Sequence, residues 1–209
     1  MNIKFYDPDE YWKEYDENGN LIYYRDPDGL EGWIEYDEKG NDTHWKKSDG
    51  FEQWKKYDEN NNLIYSKDSD GDECWYKYDK NGNEIHYRHS NGFEFWRYYD
   101  ENGNEIHHKT SDGSEEWYEY DKNGNEIHHK QSSGFEEWYT YDENNNCVHS
   151  KDSDGDEYWK EYNKENKLIY YKRRGGGEYW LGYENDRPIC FKNYDEYKAW
   201  KNRKKIFDE

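Results

Sequence analysis

The sequence predicts an all-β fold of tandem 21-residue β-hairpins, forming an elongated, antiparallel, largely single-layer sheet or β-solenoid with a short C-terminal capping helix. Tryptophan recurs at one unbroken interval of 21 residues, at Trp12, Trp33, Trp54, Trp75, Trp96, Trp117, Trp138, Trp159 and Trp180. A tyrosine follows each tryptophan three residues later, from Tyr15 to Tyr183. A fixed period without insertions indicates a repeat architecture.

Each repeat is predicted to be a β-hairpin, because two short runs rich in aromatic and β-branched residues are separated by turn formers. The first turn reads Asp-x-Asn-Gly-Asn, as at 121–125, and the second contains Ser-Asp-Gly, as at 111–113. Asn and Gly tolerate the left-handed backbone that such turns need. Strand alternation then places Trp117 and Tyr120 on opposite faces, with Glu115 on the face of Trp117.

The length of the turns decides which residues share a face. Because the period of 21 is odd, the tryptophans stay on one face of a meander only if one turn has an odd number of residues and the other an even number. A three-residue Asn-Gly loop with a bulge places Trp12 with Ile22 and Tyr24, whereas a two-residue loop places Tyr15 there instead. Both remain open, as does a solenoid in which successive hairpins rotate.

Two regions are predicted: a hairpin array of about nine units over residues 1–192, and a helix over residues 193–209. Residues 1–11 are interpreted as a truncated first unit. Asn193 is the expected N-cap, with Glu196 as its capping-box partner, and Tyr197, Trp200 and Phe207 lie on one side of the helix. The helix is expected to cover the exposed edge of the last strand, and a partner-binding basic helix is the alternative.

Composition indicates a thin packed layer. Only 23 of 209 residues are Leu, Ile, Val or Phe and the net charge is −20, a combination typical of disorder. The 36 Trp and Tyr residues nevertheless supply apolar surface in register. Residues 164–209 carry 12 Lys and Arg against 8 Asp and Glu, and the rest of the chain carries 18 against 42. Such an acidic array should repel nucleic acid and membranes and attract basic proteins.

The location expected from the sequence is cytoplasmic. No stretch has the apolar length of a membrane span, and the start of the chain lacks the apolar core of a secretory signal. Cys74, Cys147 and Cys190 form no paired motif, so reduced thiols are expected, with no metal and no cofactor.

Two patterns suggest metal binding at first sight. A histidine column occupies His44, His86, His107, His128 and His149. Equivalent residues should stand about 9.6 Å apart, two strands away, and tyrosine replaces histidine in some repeats, so an aromatic surface is favoured over a zinc site. The turns at 68–73 and 152–157 resemble calcium loops, but the copy at 131–135 keeps the turn without the ligands. Turn chemistry is therefore favoured, and calcium uptake stays open.

No enzymatic activity is predicted. Each candidate acid, base or nucleophile is either repeated along the array or isolated, and a single-layer sheet provides no deep pocket. The acidic side chains instead suggest a distributed surface.

The recurring Tyr-Asp-x-Asn-Gly-Asn-x-Ile, as at 15–22 and 99–106, resembles the YD repeats of Rhs-type bacterial proteins. The Gly-x-x-x-Trp hairpins resemble MORN repeats, and together the likeness covers nearly the whole chain. The resemblance implies a hairpin array of the kind that serves as a shell, a scaffold or an antitoxin-like partner, although Rhs shells need far longer chains and no toxin-like domain is expected in this sequence. A looser likeness connects the chain to cell-wall-binding repeats, against which its acidity and the missing signal peptide count.

These features predict a non-enzymatic acidic repeat protein that binds a basic surface of a partner protein, without direct binding of nucleic acid or membrane. The chain is expected to be a bacterial or phage inhibitor or immunity protein. Its partner is expected to be a toxin or a nucleic-acid-handling defence effector. The predicted partner-binding residues are tryptophan anchors and acidic side chains: Trp54, Trp75, Trp96, Trp117, Trp138, Glu73, Glu94, Glu115, Glu136, Asp70 and Asp112. A glycan- or cell-wall-binding array and a structural scaffold are the alternatives.

Overall fold

The computed structural model describes residues 3–6 and 12–207, with side chains described for residues 12–203. The chain comprises two compact units: unit 1 is Met1–Tyr98 with Lys109–Gly113, and unit 2 is Tyr99–His108 with Ser114–Glu209. The described residues are β-strands and turns up to α1 (Tyr194–Phe207), which confirms the predicted all-β fold with a C-terminal helix. In this part of the chain, α1 has neither the length nor the apolarity that a bilayer crossing requires.

The strands of unit 1 follow one another as successive arms of hairpins. They are β1 (Ile3–Tyr6), β2 (Trp12–Tyr15), β3 (Leu21–Arg25), β4 (Glu31–Tyr36), β5 (Asp42–Lys47), β6 (Glu52–Tyr57), β7 (Leu63–Asp68), β8 (Glu73–Tyr78), β9 (Glu84–His89) and most of β10 (Glu94–Tyr99). Each pairs in antiparallel fashion with the next. The predicted turn at residues 7–9, before β2, lies outside the described residues.

Unit 2 continues the same pattern. Most of β11 (Glu105–Thr110) belongs to it, together with β12 (Glu115–Tyr120), β13 (Glu126–Gln131), β14 (Glu136–Tyr141), β15 (Cys147–Asp152), β16 (Glu157–Tyr162), β17 (Leu168–Arg173), β18 (Glu178–Glu184) and β19 (Arg187–Phe191). Strands β12 to β19 pair in antiparallel fashion in chain order.

Each unit is a single layer. Among the described elements, strands contact only their neighbours in the chain, and α1 contacts β18 and β19. Among the described residues, Tyr197 is the one buried hydrophobic side chain, with 7% of its surface exposed. Most strand residues are half-buried. Apolar burial is therefore spread over a sheet surface, as the composition predicted, rather than gathered into a central core.

Both kinds of turn in the array are three-residue loops. In the Asn-Gly turn, Asp121 N–H donates to the Asn125 carbonyl at 2.9 Å, and Gly124 adopts a positive φ of 83°. The second turn repeats this geometry, since Gln131 N–H donates to the Phe135 carbonyl at 2.8 Å. The three-residue alternative for the Asn-Gly turn is thus the correct one.

The faces nevertheless differ from those predicted for a three-residue loop, because the strands beside the Asn-Gly turn carry a further bulge. In β2 and β3, Tyr15 pairs with Leu21 but Glu14 pairs with Tyr23, so Ile22 is left as an extra residue. Once per repeat, the bulge moves the residues that follow it to the opposite face. Equivalent tryptophans therefore stay on one face although the period is odd and both turns have an odd number of residues. Trp12 therefore shares its face with Tyr23 and Arg25, and the prediction that it shares a face with Ile22 and Tyr24 was wrong.

We name the two faces after their constant aromatic residues. The Trp face carries the tryptophan, the glutamate two residues before it and the residue two after it. From the following strand it carries the histidine or tyrosine and the lysine or arginine. The Tyr face carries the tyrosine column together with the residues on either side of each tryptophan. Trp117 and Tyr120 thus lie on opposite faces, as predicted.

A serine in the second turn joins consecutive repeats. Ser132 N–H donates to the Glu115 carbonyl at 2.8 Å, and Glu115 N–H donates to Ser132 Oγ at 3.0 Å. The same pair of bonds recurs at Ser153 and Glu136. The serine of the Ser-Asp-Gly motif is therefore an inter-repeat contact as well as a turn residue.

The tyrosine column is held from the Tyr face by hydrogen bonds to the backbone. The Tyr120 hydroxyl donates to the Glu105 carbonyl at 2.9 Å, and the Tyr183 hydroxyl donates to the Leu168 carbonyl at 2.9 Å. Each bond reaches 15 residues back and joins one hairpin to the preceding one. Burial raises the pKa of the Tyr120 phenol, so this hydroxyl stays a donor across the physiological range.

Removing one of these hydroxyls should destabilise unit 2 modestly. We expect Tyr120→Phe to lower the free energy of unfolding by about 1 kcal/mol, because the Glu105 carbonyl loses its donor while the ring keeps its packing. Chemical denaturation followed by tryptophan fluorescence measures the change. Tyr194→Phe, at a ring that is 53% exposed, is the control and should change stability by less than about 0.5 kcal/mol. Equal effects of the two changes would contradict the role of the Tyr120 hydroxyl.

The aspartate of each Asn-Gly turn is part of the turn itself. Asp121 Oδ1 accepts the N–H groups of Asn123 at 2.8 Å and Asn125 at 3.0 Å, and Oδ2 accepts the Asn125 side-chain amide at 3.0 Å. The donation from the Asn125 side chain, followed by that from its backbone N–H, lowers the pKa of the Asp121 carboxyl below its ordinary value near 3.8. Similar bonds lower the pKa of Asp37, Asp58, Asp100 and Asp142.

This arrangement predicts a loss of stability in acid. Because folding lowers these pKa values, the stabilisation is fully present above about pH 4 and is lost as the pH falls through the lowered values. Asp121→Asn should make the loss shallower, since Asn163 occupies the same turn position and accepts the N–H groups of Glu165 and Lys167 at 2.9 Å. Unfolding midpoints between about pH 2 and 6 give the slope. An NMR titration placing the Asp121 pKa at or above 3.8 would refute the explanation.

The last hairpin departs from the repeat to accept the helix. Its turn has two central residues, Asn185 and Asp186, both with positive φ, and β18 pairs with β19 without a bulge. A Cβ at Gly182 would lie 2.4 Å from the Trp200 ring, so the indole packs directly over this glycine on the Trp face. The helix thus lies on the Trp face of β18 and β19, whereas the sequence predicted that it covers the exposed edge of the last strand.

The start of the helix follows the prediction. Asn193 Oδ1 accepts the Glu196 N–H at 2.9 Å, as expected of an N-cap. Tyr197 and Trp200 point to the sheet, where their rings lie 5.9 and 5.6 Å from that of Phe191. The Phe207 side chain lies outside the described residues.

Candidate binding surface

On the Trp face, an indole can lie between side chains of the two adjacent strands, as Trp138 does. Trp138 stacks on His128 with ring centroids 5.2 Å apart and planes 6° apart, and Lys151 Nζ lies 5.0 Å from the centroid of the indole. The stack recurs for His149 and Trp159 at 5.4 Å. Where tyrosine replaces histidine the rings are tilted, as for Tyr65 and Trp75 at 50°.

The glutamate two residues before each tryptophan binds within the sheet. Glu136 accepts from His128 Nε2 at 3.2 Å and pairs with Lys130 Nζ at 3.4 Å. Although burial opposes the shift, these two partners hold the pKa of the Glu136 carboxyl below its usual value. In unit 1, Lys46 and then His44 lower the pKa of Glu52 in the same way.

The four glutamates predicted to attract a partner, Glu73, Glu94, Glu115 and Glu136, are therefore already bonded to side chains of their own sheet. Glu73 pairs with Lys67 at 3.0 Å, Glu94 with His86 at 3.1 Å, and Glu115 with His107 at 3.0 Å. The histidine column predicted from the sequence thus contributes hydrogen bonds to glutamate. Among the described residues, no three His, Cys, Asp or Glu side chains form a group that could hold a metal ion.

The Trp face also carries a basic column of lysine and arginine side chains that was not predicted from the sequence. It recurs every 21 residues, at Arg25, Lys46, Lys67, Arg88, Lys109, Lys130, Lys151 and Lys172. Its members lie on the strand after each tryptophan, opposite the indole, as Lys130 does to Trp117. The same period search that found the tryptophans would have revealed it. The Trp face is consequently close to charge balance, and the acidic excess lies elsewhere.

The predicted partner-binding residues lie in two environments, the tryptophans and glutamates on the Trp face and the aspartates in the second turns. Trp54 is 40% exposed, whereas Trp75, Trp96, Trp117 and Trp138 are half-buried in their stacks. Asp70 and Asp112 are exposed in the second turns, away from the tryptophans. Trp54, Trp75 and Trp96 belong to unit 1, and Trp117 and Trp138 to unit 2.

The exposed acidic groups concentrate in the turns. The second residue of the Asn-Gly turn is an exposed glutamate in several repeats, and the residue before the glycine of the second turn is an exposed aspartate. These residues are Glu17, Glu38, Glu59, Glu101, Glu143, Asp28, Asp49, Asp70, Asp112 and Asp154. Within each unit, negative charge therefore borders both faces of the sheet at its two rows of turns.

The Tyr face differs in composition from one repeat to the next. In unit 2, Tyr118 stacks on His129 at 4.8 Å, and Glu116 Oε2 accepts from both the Tyr118 hydroxyl and His129 Nε2. The donation from Tyr118 contributes most to lowering the pKa of Glu116. In unit 1 the corresponding area is a cluster of Tyr and Phe rings around Tyr87.

The sequence matches no protein-family model and no curated protein. Several solved structures have a similar fold. A TcdB2-TccC3-Cdc42 crystal structure has a TM-score of 0.70 and 16% identity over 90% of this chain. TcdB2-TccC3 without its hypervariable C-terminal region has a TM-score of 0.71 and 15% identity, also over 90%. A Tc holotoxin pore of Photorhabdus luminescens, mutant TccC3-D651A, has a TM-score of 0.67 and 14% identity over 90%.

The chain spans only 12–13% of the length of these proteins. At such identity the likeness shows the fold alone. It supports the YD-repeat resemblance at the level of a β-hairpin repeat scaffold.

Proposed function

We propose that this repeat scaffold is a non-enzymatic binding protein that engages a basic surface of a partner protein. The observation that carries the proposal is the location of the charge. Glutamates two residues before a tryptophan, such as Glu73 and Glu136, are paired with lysine on the Trp face, while exposed carboxylates border both faces at the turns. With 50 acidic against 30 basic residues, these borders form a negative frame around aromatic surfaces.

This arrangement suits recognition of a protein better than catalysis. Aromatic side chains provide large contact area with little loss of conformational freedom, and surrounding charge accelerates encounter and selects a partner of opposite sign. An acidic frame would also compete with nucleic acid for a basic groove. We therefore propose, more specifically, an inhibitor or immunity protein directed against a toxin or a nucleic-acid-handling effector, acting in the cytoplasm.

Affinity capture with the full chain tests the proposal. Captured proteins should be enriched in basic proteins at about 50 mM salt and released by about 500 mM, because exposed charges are screened beyond a Debye length. Mass spectrometry identifies them, and a purified partner is then titrated at both salt concentrations. A partner whose affinity is unchanged by salt, or a captured set without basic bias, would overturn the proposed function.

A further inference from the structure

Variation between repeats distinguishes the two faces. On the Trp face, the tryptophan and the glutamate two residues before it recur in all nine repeats, and a lysine or arginine follows 13 residues after every tryptophan except Trp180. On the Tyr face, the residue after each tryptophan changes from repeat to repeat: Lys13, Ile34, Lys55, Tyr76, Arg97, Tyr118, Tyr139, Lys160 and Leu181. Positions that the shared framework does not constrain are the ones available for recognising a particular partner.

A group of four neighbouring aromatic side chains lies on the Tyr face of unit 1. We call Tyr76, Tyr87, Phe93 and Phe95 the aromatic cluster. Tyr87 lies 5.2 Å from Tyr76 and 5.1 Å from Phe95 between ring centroids, and Phe93 lies 6.2 Å from Tyr87. Phe93 is 43% exposed. An apolar ring this exposed beside three others is typical of an interaction surface.

Rings on the Tyr face already hold cations of the chain itself. Arg97 Cζ lies 4.4 Å from the Phe95 centroid, and Lys47 Nζ lies 4.3 Å from that of Trp45. In unit 2, Arg173 Cζ lies 5.5 Å from the Tyr158 centroid. These contacts show which chemistry the aromatic surfaces accept, since a cation over a ring face is attracted by the ring quadrupole.

Charge at the border of the cluster favours the same ligand. Asp70 and Asp72 are exposed in the turn that leads into β8, the strand of Tyr76. An incoming cation would therefore meet carboxylates at the rim and aromatic rings at the centre.

We propose that the Tyr face of unit 1 binds an arginine-rich segment of a partner protein, with guanidinium groups stacked on the aromatic cluster. The inference rests on the proposed function and names its face and its ligand chemistry. Arginine is favoured over lysine because the guanidinium is planar and weakly hydrated, and so stacks on rings at a lower desolvation cost.

The test uses the full chain and synthetic peptides of about 12 residues in which Arg, Lys or Glu alternates with Ser. The Tyr-face variant is Phe93→Ser with Phe95→Gln, because Ser114 and Gln53 occupy these positions in other repeats. The matched control is Tyr98→Thr, in the same strand but on the Trp face, where Tyr98 is 50% exposed and Thr140 is the corresponding residue. Unfolding midpoints verify that both variants fold.

We expect the arginine peptide to bind more tightly than the lysine peptide and the glutamate peptide not to bind. The Tyr-face variant should weaken arginine-peptide binding about fivefold to tenfold, as the loss of two cation–π partners implies, and Tyr98→Thr should change it less than about twofold. If binding survives the Tyr-face variant, the assignment of this face is wrong while the basic-partner function stands. If neither basic peptide binds at low salt, the proposed function fails as well.

Discussion

Replacing Trp138 with alanine is expected to lower the free energy of unfolding of unit 2 by about 2 to 4 kcal/mol. The change removes the stack on His128 and the contact with Lys151, and it exposes the surface that the indole covers on both neighbouring strands. Truncation of a buried aromatic residue costs about 3 to 5 kcal/mol, and Trp138 is half-buried. Denaturant unfolding followed by circular dichroism measures the loss, because it does not depend on the deleted fluorophore.

Thr140→Ala is the matched control for this change. Thr140 lies two residues further along β14, on the same face, and is exposed. It should cost less than about 0.5 kcal/mol. If Trp138→Ala is as mild as Thr140→Ala, the tryptophan column does not hold the repeats together, and our interpretation of the Trp face as framework fails.

The second large effect is expected at Gly182, where a side chain should release α1 from the sheet. Gly182→Glu introduces the residue found at this position in other repeats, such as Glu119 and Glu161, so the strand itself should tolerate it. The new Cβ would collide with the Trp200 ring, 2.4 Å away. Losing the burial of Tyr197 and Trp200 should cost about 3 kcal/mol, since each large apolar side chain contributes roughly 1.5 to 3.

Hydrogen exchange at residues 194–207 measures this release directly, and the helical circular dichroism signal should fall with it. Gly177→Ala is the control, because a Cβ added at Gly177 would meet no atom within 4 Å and β18 begins only after this residue. Protection of the helix in Gly182→Glu equal to that in the parent chain would show that packing over Gly182 is not what docks α1.

Sequence reasoning recovered the fold class because its signals are local. The alternation around Trp117 and Tyr120 predicts a strand with two aromatic faces, and the Asn-Gly turns depend on backbone conformations that few residues adopt. The helix cap at Asn193 is likewise contained in a few adjacent residues. None of these inferences needs a partner from another repeat.

The errors arose where residues from different strands meet. The bulge at Ile22 cannot be seen in a hydrophobic pattern, because one extra residue shifts the pairing without altering composition. Glu136 was predicted to contact a partner, but its bonds to His128 and Lys130 give it a role within the sheet. The basic column has a clear period in the sequence, but its role depends on the tryptophans and glutamates that it meets across the strands.

The sequence by itself determined that this protein is a chain of identical-length β-hairpins with aromatic side chains on both faces and a capped helix at the end. Turn chemistry and strand alternation act within a few residues, so one repeat suffices to specify them. Tertiary structure alone decided which columns share a face, which carboxylates remain exposed, and where α1 docks. Those outcomes depend on register between strands, and a shift of one residue moves a side chain to the opposite surface.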